Sequence, residues 1–181
     1  MSSERPVWSR FVRVFHWSLV GSVALAWVTS EVGGKAHEPV GWFMVALLVL
    51  RLLWGLAGND RAARFASFVR GPREVLAYAG QVLRGLAPRY LGHNPLGGWM
   101  VLALMVMLAA IAVTGWLMTT DMFWGSELME EVHEALAEGL LVLVVLHVAG
   151  VFYTGWHQRE NLARAMLSGR KRAPGPGDIA A

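Results

Sequence analysis

Residues 132–156 read VHEALAEGLLVLVVLHVAGVFYTGW. The stretch is long and apolar enough to cross a bilayer as one helix. It carries two histidines, His133 and His147, fourteen residues apart. Fourteen residues of α-helix rise about 21 Å and come round to within about 40° of four whole turns. The two imidazoles therefore leave one helix face at levels near opposite sides of the membrane. An ionisable side chain inside a span is costly and usually functional. Two on one face at this separation suggest two metal centres stacked across the bilayer, and haem iron commonly takes histidine axial ligands.

Three further stretches, 14–32, 40–57 and 96–119, have about the 17–25 residues that a span requires. The 181-residue chain is 55% hydrophobic and only 16% charged, whereas soluble domains run closer to about 25% charged. Four spans leave little chain for a soluble domain. The expected fold is all-α, an integral membrane four-helix bundle over residues 1–172. The tail, 173–181, is rich in proline and glycine and is expected to be disordered. Arg10 and Arg13 before an apolar run have the outline of a signal peptide. The run starts at His16, however, and the region around Thr29 and Ser30 lacks an Ala-x-Ala pattern. Retention as a helix is the simpler reading. Cysteine is absent, which excludes disulfides, iron–sulfur clusters and covalent c-type haem.

The basic residues set the orientation. Arg5, Arg10 and Arg13 precede the first span. Arg61, Arg64, Arg70, Arg73, Arg84 and Arg89 fill the middle connection, and Arg159, Arg164, Arg170, Lys171 and Arg172 follow the last span. With four spans all three segments share one side, and the two other loops hold only Lys35. By the positive-inside rule both termini are cytoplasmic. Topology and anionic membrane lipid explain the calculated pI of 9.8 with no nucleic-acid partner. Within the middle connection, Val75, Leu76, Ala79, Val82 and Leu83 recur at helical spacing among Arg73, Glu74, Gln81 and Arg84. That pattern suits a short amphipathic helix on the membrane surface, and a partner-binding helix is the rival reading. The opposite side is acidic: Asp121, Glu127, Glu130 and Glu131 precede the fourth span, and Glu134 and Glu138 lie in its first turns. These carboxylates either complement a helix N-terminus or form a docking surface for a basic periplasmic redox protein.

With this orientation the histidines sort by depth. His37 and His133 make an outer pair, and His16 and His147 an inner one. Each pair joins two different helices, as a six-coordinate haem between helices requires. Zinc fits less well, because a structural site wants four nitrogen or sulfur ligands close together. His93 and His157 fall at the cytoplasmic interface, where they serve a quinone or proton-transfer site or merely sit among headgroups. Arg51 lies inside the second span. It either snorkels to the headgroups or pairs with a haem propionate through its bidentate guanidinium. The methionines of the third span, Met100, Met105, Met107 and Met118, read as packing.

Five segments carry a family resemblance. They are Arg13-Val14-Phe15-His16-Trp17, residues 51–55, residues 65–72, Gly92-His93-Asn94-Pro95-Leu96-Gly97-Gly98, and residues 157–172. Together they resemble the bacterial cytochrome b of the five-sixty-one type, related to the diheme b subunit of nickel–iron hydrogenases. The resemblance covers about residues 7 to 172. It implies a four-helix bundle with two b haems and electron exchange between quinone and a redox partner, with the histidine pattern carried by His16, His37, His133 and His147. The expected role is that of an electron-transfer subunit linking membrane quinone to a periplasmic c-type cytochrome, hydrogenase or dehydrogenase. The alternative is a self-contained oxidase of superoxide or another small molecule that reduces quinone.

Overall fold

The computed structural model describes residues 4–32, 35–58, 60 and 63–179; Arg61 and the last two residues of the tail lie outside the described residues. The chain runs β1 (Glu4–Pro6), α1 (Arg10–Val32), α2 (His37–Ala57), α3 (Phe65–Phe68), α4 (Pro72–Leu83), α5 (Pro95–Leu117), α6 (Glu127–His157), α7 (Leu162–Ser168) and β2 (Arg170–Arg172). The protein is thus mostly helical. Four helices, α1, α2, α5 and α6, are long and apolar enough to cross a membrane.

Local chemistry explains where these helices begin. Pro39 is tolerated in the first turn of α2 because its missing N–H has no intrahelical partner there. Pro95 opens α5, and the Asn94 side chain caps it by accepting from the Gly97 amide at 2.7 Å. Before α6, the Ser126 hydroxyl accepts from the Met129 amide at 3.4 Å. This cap starts α6 five residues ahead of the expected stretch. The 31 residues of α6 rise about 46 Å, more than the ~30 Å hydrocarbon core. Part of the helix therefore extends beyond the apolar layer.

The chain divides into two compact units. One comprises Phe15–Leu52 and Ala103–Val145. Its interior side chains are Ser22, Ala26, Met44, Leu48, Met105, Leu108, Ile111 and Leu140. Small side chains among them permit close helix approach where no hydrophobic force drives helices together. The hydroxyls of Ser22 and Thr29 donate to Ser18 O and Leu25 O, each at 2.8 Å, so these polar groups are satisfied within α1. Val28, Val106 and Val142 stay exposed, a surface that suits lipid.

The other unit comprises Met1–Val14, Leu53–Leu102 and Leu146–Ala181. Trp8, Val12 and Ala63 form a small core with Val7, Phe11 and Met166 packed on it. β1 and β2 pair antiparallel, with Arg5 opposite Lys171. The amides of Val7 and Trp8 both donate to Gly169 O, at 2.9 and 3.1 Å. Gly169 has φ 79°, and a Cβ there would stand 2.8 Å from Trp8 O. Both conformation and space demand glycine at this position. On α4, Val75 and Tyr78 are buried while Leu76 and Leu83 are exposed. The latter two are seven residues apart and share a face.

A buried arginine organises the end of this unit. Arg89 donates from Nη2 to Glu160 Oε1 at 2.9 Å and from Nε to Glu160 Oε2 at 3.1 Å. It also donates to Asp178 and, from Nη2 at 2.9 Å, to Arg172 O. Burial alone would raise the Glu160 pKa, but its hydrogen bonds from Arg89 and the Arg172 amide hold the carboxyl below its ordinary value. Burial pushes the nearby Lys171 ammonium down to about 8 against the opposing pull of Glu160. The tail is held by the same cluster. Ile179 N donates to Arg89 O at 2.8 Å, and Leu91 N to Ile179 O at 3.0 Å. Among the described residues of the stretch 173–181, Asp178 and Ile179 make these bonds. The proline and glycine content was legible, but the Asp178 anchor depends on a partner 89 residues away.

Candidate functional site

Within the first unit, the structure brings two of the four expected ligand residues together. His37 opens α2, His133 lies in the second turn of α6, and their ring centroids are 6.1 Å apart with planes at 79°. Each ring is oriented through Nδ1. His37 Nδ1 lies 2.9 Å from Ala26 O. A carbonyl only accepts, so Nδ1 is a donor here, and in the neutral ring Nε2 is the nitrogen with the lone pair. His133 Nδ1 lies 2.9 Å from Thr114 Oγ1. The single Thr114 proton is directed to Ala110 O and Ile111 O, at 3.1 and 3.0 Å. With its proton on either carbonyl, the hydroxyl can accept from His133 Nδ1, which leaves Nε2 free for a metal. A Cβ on Gly115 would stand 3.1 Å from His133 Cε1, so the absence of a side chain there makes room for the ring.

This arrangement suits a metal that brings most of its own ligands. Histidine–metal bonds of about 2 Å on either side of one ion, plus the ring radii, give a centroid separation of about 6 Å. Among the described residues, no group of three or more His, Cys, Asp or Glu is placed to hold a metal ion. Two imidazoles with no third His, Cys, Asp or Glu beside them, among the described residues, fit an iron that a macrocycle holds. Hydrogen-bonded Nδ1 atoms are the usual outer support of metal-binding histidine. Thr114 and the Ala26 carbonyl were missed by sequence reasoning.

The other expected residues are distributed differently. His147 lies on the same unbroken helix as His133, about 21 Å along it. His147 and His16 belong to different units. His16 is partly buried, with the Trp17 ring edge-on at 5.1 Å. Arg51 is 5% exposed, which differs from a side chain snorkelling freely to headgroups.

His93 lies in the second unit among aromatic rings, 4.8 Å from Trp8 and 4.5 Å from Phe68. Nearby, burial first and the neighbouring Tyr90 next push the Tyr78 hydroxyl up to about 12. His157 is exposed and stacks parallel to Tyr153 at 6.1 Å. The Tyr153 hydroxyl donates to Val82 O at 3.1 Å, tying α6 to α4.

A family model described as prokaryotic cytochrome b561 matches residues 7–169. Comparison with curated proteins and with solved structures found no match. The match spans all four long helices and His16, His37, His133 and His147, and the family supports a transmembrane electron-transfer role based on haem b. The chain belongs to the prokaryotic cytochrome b561 family.

Proposed function

We propose that this protein carries electrons across the bacterial cytoplasmic membrane through two b haems, between membrane quinone and a soluble periplasmic redox protein. His37 and His133 hold the outer haem, and His16 and His147 the inner one. The observation that carries the reading is the outer pair, two imidazoles at ligand spacing with both Nδ1 atoms hydrogen-bonded. Bound haem supplies a one-electron iron couple.

The protein's own residues position, insulate and orient. The Ala26 carbonyl and the Thr114 hydroxyl hold the two rings through Nδ1, which would leave Nε2 of each for the haem iron. Gly115 leaves room for the His133 ring. Arg51, buried in a span, matches a propionate carboxylate. Leu76, Leu83 and Leu86 are exposed beside Arg73 and Arg84, which suits a helix resting in the headgroup layer with its arginines at the phosphates. Fourteen of the sixteen Lys and Arg residues fall in the three segments read as cytoplasmic. Six exposed carboxylates, Asp121, Glu127, Glu130, Glu131, Glu134 and Glu138, mark the other side. They attract a cationic c-type cytochrome or a basic hydrogenase or dehydrogenase surface and repel an anion such as superoxide. This favours an electron-transfer subunit over a self-contained oxidase.

A pyridine haemochrome assay with protein quantification is expected to give two haems b per chain. One or none defeats the two-site reading. Thr114→Val is expected to retain both haems but to weaken one, releasing it to an acceptor apoprotein about 10- to 100-fold faster, the range for lost outer-shell partners. Redox titration should show one of two potentials moved. If release and both potentials match wild type, Thr114 does not orient His133.

A further inference from the structure

The connection between α5 and α6 carries an exposed apolar tip that the histidine chemistry does not use. Met122, Trp124 and Leu128 are 82%, 78% and 68% exposed. They do not belong to a loose loop. Thr120 O accepts from Phe123 N, Phe123 O from Ser126 N, and Ser126 O from Met129 N and Glu130 N, all at 3.0–3.1 Å. Gly125 takes the positive φ of 72° that closes this series of turns. The tip is therefore presented on a rigid platform. Met122 and Trp124 lie past the end of α5 at Leu117 and before the start of α6 at Glu127. Thr114 and His133, the pair joined at the outer site, stand four residues before and seven residues after residues 118 and 126. Along either helix that is about 6–11 Å.

The surroundings select what covers the tip. From Tyr90 to Gln158 the chain has no Lys or Arg and six carboxylates; all six are exposed, Asp121 just before Met122 and five glutamates in the first turns of α6. Apolar anchors beside like charges are a poor match to an anionic lipid surface. They match a protein surface with an apolar centre and a ring of lysines, since well-packed aromatic anchors supply affinity and the charged rim supplies rate. We infer that Met122, Trp124 and Leu128 form the apolar centre of a docking surface for a soluble redox protein whose exposed cofactor edge is encircled by basic residues. This rests on the electron-transfer reading and names the contact through which that reading operates.

The test uses the full-length, haem-loaded protein in nanodiscs of zwitterionic lipid, with a lysine-rich c-type cytochrome as probe. Binding is measured by titration, and electron transfer by stopped flow over a salt series. Met122→Ala/Trp124→Ala is expected to weaken binding about tenfold or more, as truncating an interface anchor does. The salt slope of the rate should keep its wild-type value, because no charge is altered. Reaction with a small uncharged redox mediator should be unchanged, which separates docking from damage to the haems. If binding and rate equal wild type, the tip contacts lipid or solvent and the proposal fails while the electron-transfer reading stands. If wild-type protein with both haems neither binds nor exchanges electrons with the probe at any salt, the partner reading fails and the docking surface with it.

Discussion

Alanine at His37 is expected to lower haem content from two per chain to one while leaving the inner haem spectrum and potential intact. Alanine at His16 should do the reverse. The asymmetry follows from helix geometry. His133 and His147 share one unbroken helix but stand about 21 Å apart along it. A ligand lost at one level leaves the other level's imidazoles untouched. His37 is also isolated chemically, since its hydrogen-bond partner is Ala26 O on α1 and its ring neighbour is His133. Reduced-minus-oxidised spectra with haem quantification read the outcome, and redox titration shows which potential disappears. If either substitution removes both haems from a folded protein, or neither haem is lost, the assignment by depth is wrong.

Much of this site was legible because it is written along single helices. The fourteen-residue spacing on α6 follows from counting, and so does the depth of His37 at the start of α2. In the structure the His37 and His133 rings stand 6.1 Å apart. Thr114 was not legible. Its role depends on how α5 is rotated and shifted against α6, and an apolar span such as α5 has almost no polar stripe to reveal its rotation. Arg51 posed a different problem. Sequence position near a helix end allowed snorkelling, whereas burial depends on side chains far away in the chain. The β1–β2 clasp and the Arg89 cluster were invisible for a related reason. Glu160 and Asp178 are 71 and 89 residues from Arg89. Each looks like an ordinary surface charge until the fold collects them.

Charge reversal at Glu127, Glu130 and Glu131 to lysine should slow electron exchange with a basic cytochrome by about tenfold or more at low salt, within the range that electrostatic steering supplies. All three carboxylates are exposed, so the change alters the long-range field rather than a buried pair. The difference from wild type should shrink as ionic strength rises and the Debye length falls from about 30 Å at 0.01 M to about 8 Å at 0.15 M. Haem content should not change, because none of the three touches His37 or His133 through any bond found in the structure. A cost to the helix itself is expected too. Glu127 and Glu130 sit in the first turn of α6, where each carboxylate is worth about 0.3–1 kcal/mol against the helix dipole. Thermal unfolding measured beside the kinetics separates the two effects. A lowered melting temperature with an unchanged rate and salt dependence would mean that these carboxylates serve only the helix end. A slowed, salt-sensitive rate in a protein of nearly normal stability would mean that they steer the partner. The apolar tip gives the complementary signature, with weakened binding and an unaltered salt slope. The two sets of substitutions therefore assign rate to the acidic rim and affinity to Met122 and Trp124 on independent measurements.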